Sequence, residues 1–339
     1  MARILTYQKA INEAIRQEMA NDPTVVLFGE DVAGGAGTDE PLDAWGGVLG
    51  VTKGIQPEFP AQVLDTPISE SAYVGAAAGA AASGLRPIAE LMFIDFLGVC
   101  LDQIMNQAAK FRYMFGGKAE TPMVIRTMYG AGLNAAAQHS QALYPILTHL
   151  PGIKVVLPSN PYDAKGLLIQ AIRDQDPVIF CEHKVLYPMK GEVPEEVYTI
   201  PFGQARVVRE GTDATIVAFG RMVQMAERAA ATLEKDGVEV EIIDPRTTSP
   251  LDEDAILGSV EKTGRLVVVD ESSPRCGMAA DIASLAATRV FGSLKAPIRT
   301  VTPPHTPVPF ATVLEQAYIP SAARVVDAVL ETLDKEPVA

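Results

Sequence analysis

Short apolar runs of strand length recur along the chain, separated by longer segments in which apolar residues fall at helical spacing. The runs are TVVLFG, RPIAELMF, PMVIRTM, KVVLPS and PVIFCEH in the first half, then ATIVAFG, VEVEIIDP, RLVVVDE and PIRTVTPP. Between them lie segments such as 102–115, where Ile104, Ala108, Phe111 and Phe115 share one face. The amino terminus repeats that spacing with Ala10, Ile11, Ala14, Ile15 and Glu18. Alternation of this kind predicts an α/β protein whose largely parallel sheets are flanked by crossover helices.

The rhythm breaks at LYPMKGEVPEEVYTIPFG, which is dense in proline and has no apolar period. This predicts a first domain over residues 1–186, a linker at 187–202 and a second α/β domain over 203–330. The 339 residues suit two domains of ordinary size.

Composition narrows the function. A net charge of -14 with no clustered basic run argues against nucleic acid or an anionic membrane as partner. Cys100, Cys181 and Cys276 have no ligand-like spacing and read as buried thiols of a reducing compartment, here the cytoplasm. The amino terminus lacks the order of a signal peptide, and the longest apolar run, Tyr73 to Leu85, is too short to cross a bilayer. The Gly-rich acidic stretch 32–47 matches no nucleotide-binding pattern and reads as a surface or active-site loop.

Two places carry candidate chemistry. In LDTPISESAYVGAAAGAAASGLRP, Glu70 stands at the start of a helix made almost wholly of small residues. It reads either as a solvated charge complementing the helix dipole or as a partly desolvated acid, with raised pKa, that exchanges a proton with a ligand nitrogen. Gly75 and Gly79 would let another backbone approach. His139, among Gln138, Ser140 and Gln141 after the approach GAGLNAAA, reads as a surface histidine or as part of an active-site loop.

The motifs DTPISE, GLRPIAELMFIDF, DQIMNQAAKFRYM, AAQHSQ, AIRDQDPVI, RTTSPLDEDAIL and PHTPVPF occur in this order. Together they resemble the beta subunit of the thiamine-diphosphate-dependent 2-oxo acid dehydrogenase components, closest to the acetoin and pyruvate dehydrogenase members. The resemblance implies a transketolase-like pyrimidine-binding domain followed by a transketolase C-terminal-like domain. It implies that Glu70 hydrogen-bonds the cofactor pyrimidine and promotes the tautomer that removes the thiazolium proton. It places Phe96 against the pyrimidine face, Met92 in the same pocket, and His139 at the reacting centre, where it assists proton transfer or acylation of a lipoyl group. Some members hold a potassium ion through carbonyls matching those of Met123, Ala171, Ile172 and Asp174, with a polar side chain at position 176, here Asp176.

No GDG-type motif for Mg²⁺ and diphosphate is present. The resemblance therefore implies an alpha subunit that supplies this half of the cofactor, in an alpha2beta2 heterotetramer with thiamine diphosphate shared between chains. The lipoyl and subunit-binding domains of a dihydrolipoyl acyltransferase would be further partners. An assembly scaffold with all chemistry in the alpha subunit is the alternative from another class.

Overall fold

The computed structural model describes residues 3–33 and 46–334. The chain divides into two compact units, one of residues up to Tyr129 plus Ile146–Phe202, the other of Gly130–Pro145 plus the residues from Gly203 onward.

The strands of the first unit are β1 (Arg3–Thr6), β2 (Val25–Gly29), β3 (Val63–Asp65), β4 (Arg86–Phe93), β5 (Val124–Tyr129), β6 (Lys154–Val156), β7 (Val178–His183) and β8 (Lys190–Val193). Six of them form a parallel sheet in the order β6-β7-β5-β4-β2-β3, while β1 and β8 pair separately. The strands of the sheet are mostly apolar and buried, as a sheet covered on both faces requires: every residue of β5 and of β7 is buried, the charged Arg126 and Glu182 among them. The helix Tyr7–Asn21 starts where Thr6 Oγ1 accepts from Lys9 N, and it buries Ala10, Ile11, Ala14, Ile15 and Glu18 on the expected face. That face packs on the helix Pro161–Arg173, which has proline in its first turn and Asn160 as its cap. Glu18 is buried there because Arg173 grips both its oxygens at 2.7 Å.

Two expectations change in this unit. The segment 187–202 is not a free linker: β8 pairs antiparallel with β1, and Ile200 is buried. Proline marks turns there, but the strand between them is held by pairing across the chain. The segment 102–115 is not one helix either. Helix Leu97–Asp102 runs into a π-helical turn, Gln103–Ala108, and a short helix follows at Phe111–Met114. Ile104 and Ala108 are buried, but Phe115 is exposed because the wide turn rotates the face away.

The second unit contains β9 (Arg206–Arg209), β10 (Ala214–Ala218), β11 (Val240–Asp244), β12 (Thr247–Ser249), β13 (Leu266–Val269) and β14 (Arg299–Val301). Its sheet runs β14-β13-β10-β11-β9, parallel except for β9. The helices Met222–Leu233 and Ala322–Thr332 pack together over it. Cys100 and Cys181 are buried as expected, whereas Cys276 is exposed, in the turn before the helix Met278–Arg289. Among the described residues no helix is long and apolar enough to cross a membrane.

Candidate active site

In the first unit β2 and β4 are neighbours, with Gly29 opposite Glu90 at their carboxyl ends. The strand order reverses here, since β3 lies on one side of β2 while β4 and β5 lie on the other. The crevice beyond strand ends at such a reversal is where open α/β sheets place their ligands. Glu30 follows β2 directly, Met92 is the last residue but one of β4, and Phe96 lies in the turn Ile94–Phe96 just beyond it. Glu70 opens the helix Glu70–Ala82, whose start carries no side-chain cap. Tyr73 Oη donates to Glu90 O at 3.1 Å and so ties the first turn of that helix to β4. A side chain at Gly29 would come within 3.0 Å of Glu90 Cβ, which is why glycine stands where the two strand ends touch.

The carboxylates there act on one another. Glu30 is held above the usual carboxylate range by burial, then by Asp31 and Glu70. Burial, reinforced by the charge of Glu70, pushes the Cys100 thiol up to about 12, and the Tyr73 hydroxyl is raised by the same two causes. Cys100 Sγ also reaches Phe96 O at 4.0 Å. Glu70 and Phe96 thus share a neighbour. Met92 is buried, and Phe96 is half-buried with its ring edge-on to Phe93 at 5.8 Å. A half-buried acid beside a thioether and a partly exposed aromatic ring is a donor set that fits an aminopyrimidine: one group for a ring nitrogen, an apolar wall for its faces.

Behind this edge Arg126 is clamped between Glu90, at 2.6 Å, and Glu182, at 2.6 and 2.8 Å, with Tyr187 Oη donating to Glu182 at 2.7 Å. Burial raises the Glu90 carboxyl, with Arg126 opposing and Glu182 adding to the rise. Two carboxylates around one guanidinium leave one negative charge in excess, which favours a proton on Glu90.

Behind the start of the small-residue helix, Gly75 packs on its own chain, where an added Cβ would meet Gln103 Oε1 at 2.9 Å. Gly79 is exposed and meets nothing, like Ala72 and Ala76. His139 is half-buried and belongs to the second unit, where its N–H donates to Ala136 O at 3.5 Å.

The residues expected around potassium are satisfied by the chain itself. Arg86 Nη1 donates to the carbonyls of Ile172 and Asp174, both at 3.0 Å. Met123 O accepts from Val178 N at 2.9 Å and Ala171 O from Asp174 N at 3.3 Å. Lys154 bonds Asp174 at 2.7 Å and Asp176 at 3.1 Å, Arg112 bonds Asp176, and Arg86 lies 3.8 Å from Asp22. Three cations face three carboxylates, so this donor set does not fit a further cation. Among the described residues no group of three or more His, Cys, Asp and Glu is placed to hold a metal.

Glu30 was missed by sequence reasoning, although its place directly after an apolar run was a usable signal. The anchors of the His139 loop, Glu271 and Glu315, were missed too and had no local signal. The Gly-rich stretch 32–47 falls mostly outside the described residues.

Family models of the transketolase pyrimidine-binding domain and of the transketolase C-terminal domain match residues 4–190 and 203–325. The chain belongs to the transketolase family. It is 67% identical to the beta subunit of acetoin:2,6-dichlorophenolindophenol oxidoreductase of Cupriavidus necator, over 98% of each chain. Identity to the protein of the same description from Bacillus subtilis is 59%, again over 98% of each. The pyruvate dehydrogenase E1 component subunit beta of Bacillus subtilis is 43% identical over 97% of this chain and 99% of that one. A solved split-gene transketolase, an inactive beta4 tetramer, shares the fold at TM-score 0.76 and 22% identity, covering 98% of this chain and 99% of that one.

Proposed function

We infer that this chain is the beta subunit of a thiamine-diphosphate-dependent component that cleaves acetoin and passes the acyl fragment to a lipoyl domain of an acyltransferase. The observation that carries this is the full-length identity of 67% and 59% to acetoin oxidoreductase beta subunits, against 43% to a pyruvate dehydrogenase subunit. Glu70, Met92 and Phe96 would hold the pyrimidine of thiamine diphosphate at this edge, where the cofactor would supply a nucleophilic carbon for the substrate carbonyl. The chain's own residues prepare that step. Glu70 hydrogen-bonds the pyrimidine nitrogen and exchanges a proton with it, and Glu30 lies in the same crevice. Met92 and Phe96 exclude water and pack on the ring. His139, in the second unit, exchanges a proton with substrate or lipoyl sulfur.

With no GDG-type motif in this chain, an alpha subunit provides the diphosphate and Mg²⁺ half, in an alpha2beta2 assembly. No step runs through potassium. The test is turnover of the reconstituted pair on acetoin, pyruvate and branched-chain 2-oxo acids with dichlorophenolindophenol as acceptor. Acetoin should lead; preference for pyruvate would make this a pyruvate dehydrogenase subunit.

A further inference from the structure

His139 sits on Gly130–Pro145, and the first residues of that segment are tied down from three other parts of the second unit. Glu271 Oε1 accepts from Ala131 N at 2.6 Å, and Arg221 Nη1 donates to Ala131 O at 3.1 Å. Glu315, on the helix Thr312–Tyr318, accepts from Gly132 N at 2.8 Å and takes the Asn134 N–H on its two oxygens at 3.2 and 3.1 Å. Asn134 Nδ2 then donates to Phe310 O and Thr312 Oγ1, both at 3.0 Å. Glu315 is 2% exposed, so its charge is spent on these contacts and not on water.

The backbone at and just beyond these bonds turns through positive φ. Gly132 has φ +114°, Asn134 +54° and Ala136 +58°, all in the region where residues with a Cβ persist only when their surroundings over-determine them. Backbone that turns this way aims nearby N–H groups at a common point and makes a nest for an anion. Here the anion is the Glu315 carboxylate. Ala137, Gln141 and Leu143, which flank His139 in the chain, line an open cavity of about 430 Å³ with Glu271, His305 and Tyr318. The anchored stretch therefore sets where His139 stands.

We propose that Glu315 is the positioning residue for His139, a carboxylate that fills a backbone nest and thereby fixes the loop presenting the imidazole. This rests on the reading of His139 given above. Glu315→Gln keeps the size but turns an amide N–H toward the backbone N–H groups. In the complex reconstituted with the alpha subunit and a lipoyl domain, this variant should assemble, exchange the amides of 131–139 faster, and acylate the lipoyl group about tenfold more slowly. Added to His139→Ala it should cost nothing more, because a misplaced and a missing imidazole are the same defect. Wild-type exchange and rate in Glu315→Gln, or a defect that multiplies that of His139→Ala, overturn the proposal. If His139→Ala itself acylates normally, the role of His139 is wrong, and the exchange arm alone then decides whether Glu315 orders the loop. Should Glu315→Gln not fold, Asn134→Ala, which cuts the bonds to Phe310 and Thr312, carries the same expectations.

Discussion

Arg126 and Glu182 meet as a two-pronged pair inside the first unit, Nε to Oε1 at 2.6 Å and Nη2 to Oε2 at 2.8 Å. Burial alone would make the guanidinium easier to deprotonate, but Glu182 and then Glu90 hold it charged. Removing one member of such a group leaves the others buried without a counter-charge. Arg126→Met should therefore lower stability by about 3–5 kcal/mol, read as a shift of the urea midpoint. A loss under about 1 kcal/mol would mean that protons or water replace the guanidinium at little cost.

Glu70→Gln should assemble with the alpha subunit and melt close to the parent, because the side chain is only half-buried and the substitution keeps its size. Its turnover should fall by about a hundredfold or more, the usual contribution of a positioned acid. Full activity would support the assembly-scaffold reading.

Asp176 gives a pH signature. Burial alone would raise its carboxyl, but hydrogen bonds from Arg112 and Lys154 outweigh burial and hold it below the usual range. A group whose folded value is depressed contributes stability that is complete above its unfolded value, about 3.9, and vanishes as pH falls through the folded value. Asp176→Asn should lower the melting temperature at pH 7 and make little difference near pH 2. An equal gap at both pH values would rule out the ionic origin.

Exchanging potassium for sodium or choline at constant ionic strength should leave the melting temperature unchanged, since Arg86, Arg112 and Lys154 already balance Asp22, Asp174 and Asp176. A potassium-specific rise that saturates would show an ion site there after all.

Gly166 lies under the segment expected as a linker. An added Cβ would meet Tyr198 Cε2 at 2.6 Å and Ile200 Cγ1 at 2.8 Å. Gly166→Ala should cost about 1–3 kcal/mol and speed proteolysis around 194–202. Unchanged cleavage would argue that this segment is loosely held.

The nine apolar runs all became strands, because a parallel strand buried on both faces is mostly apolar and so announces itself locally. The short strands β1, β3, β8, β9 and β12 were not anticipated. β1 and β8 have little apolar signal and exist because each completes the other's hydrogen bonds. Glu70, Met92 and Phe96 were singled out through their motifs. Glu30 became part of the same cluster only when β2 and β4 were seen side by side.

The α/β class and the family follow from the amino-acid order alone, since periodicity and motif spacing are properties of neighbours along the chain; that Gly130–Pro145 joins the second compact unit does not. The satisfaction of the Asp174 and Asp176 corner by Arg86, Arg112 and Lys154, and the hold of Glu315 on Asn134, join residues 20 to 181 positions apart. Only folding decides such pairs, because whether a carboxylate faces a metal, a backbone nest or a guanidinium depends on which distant segment reaches it first.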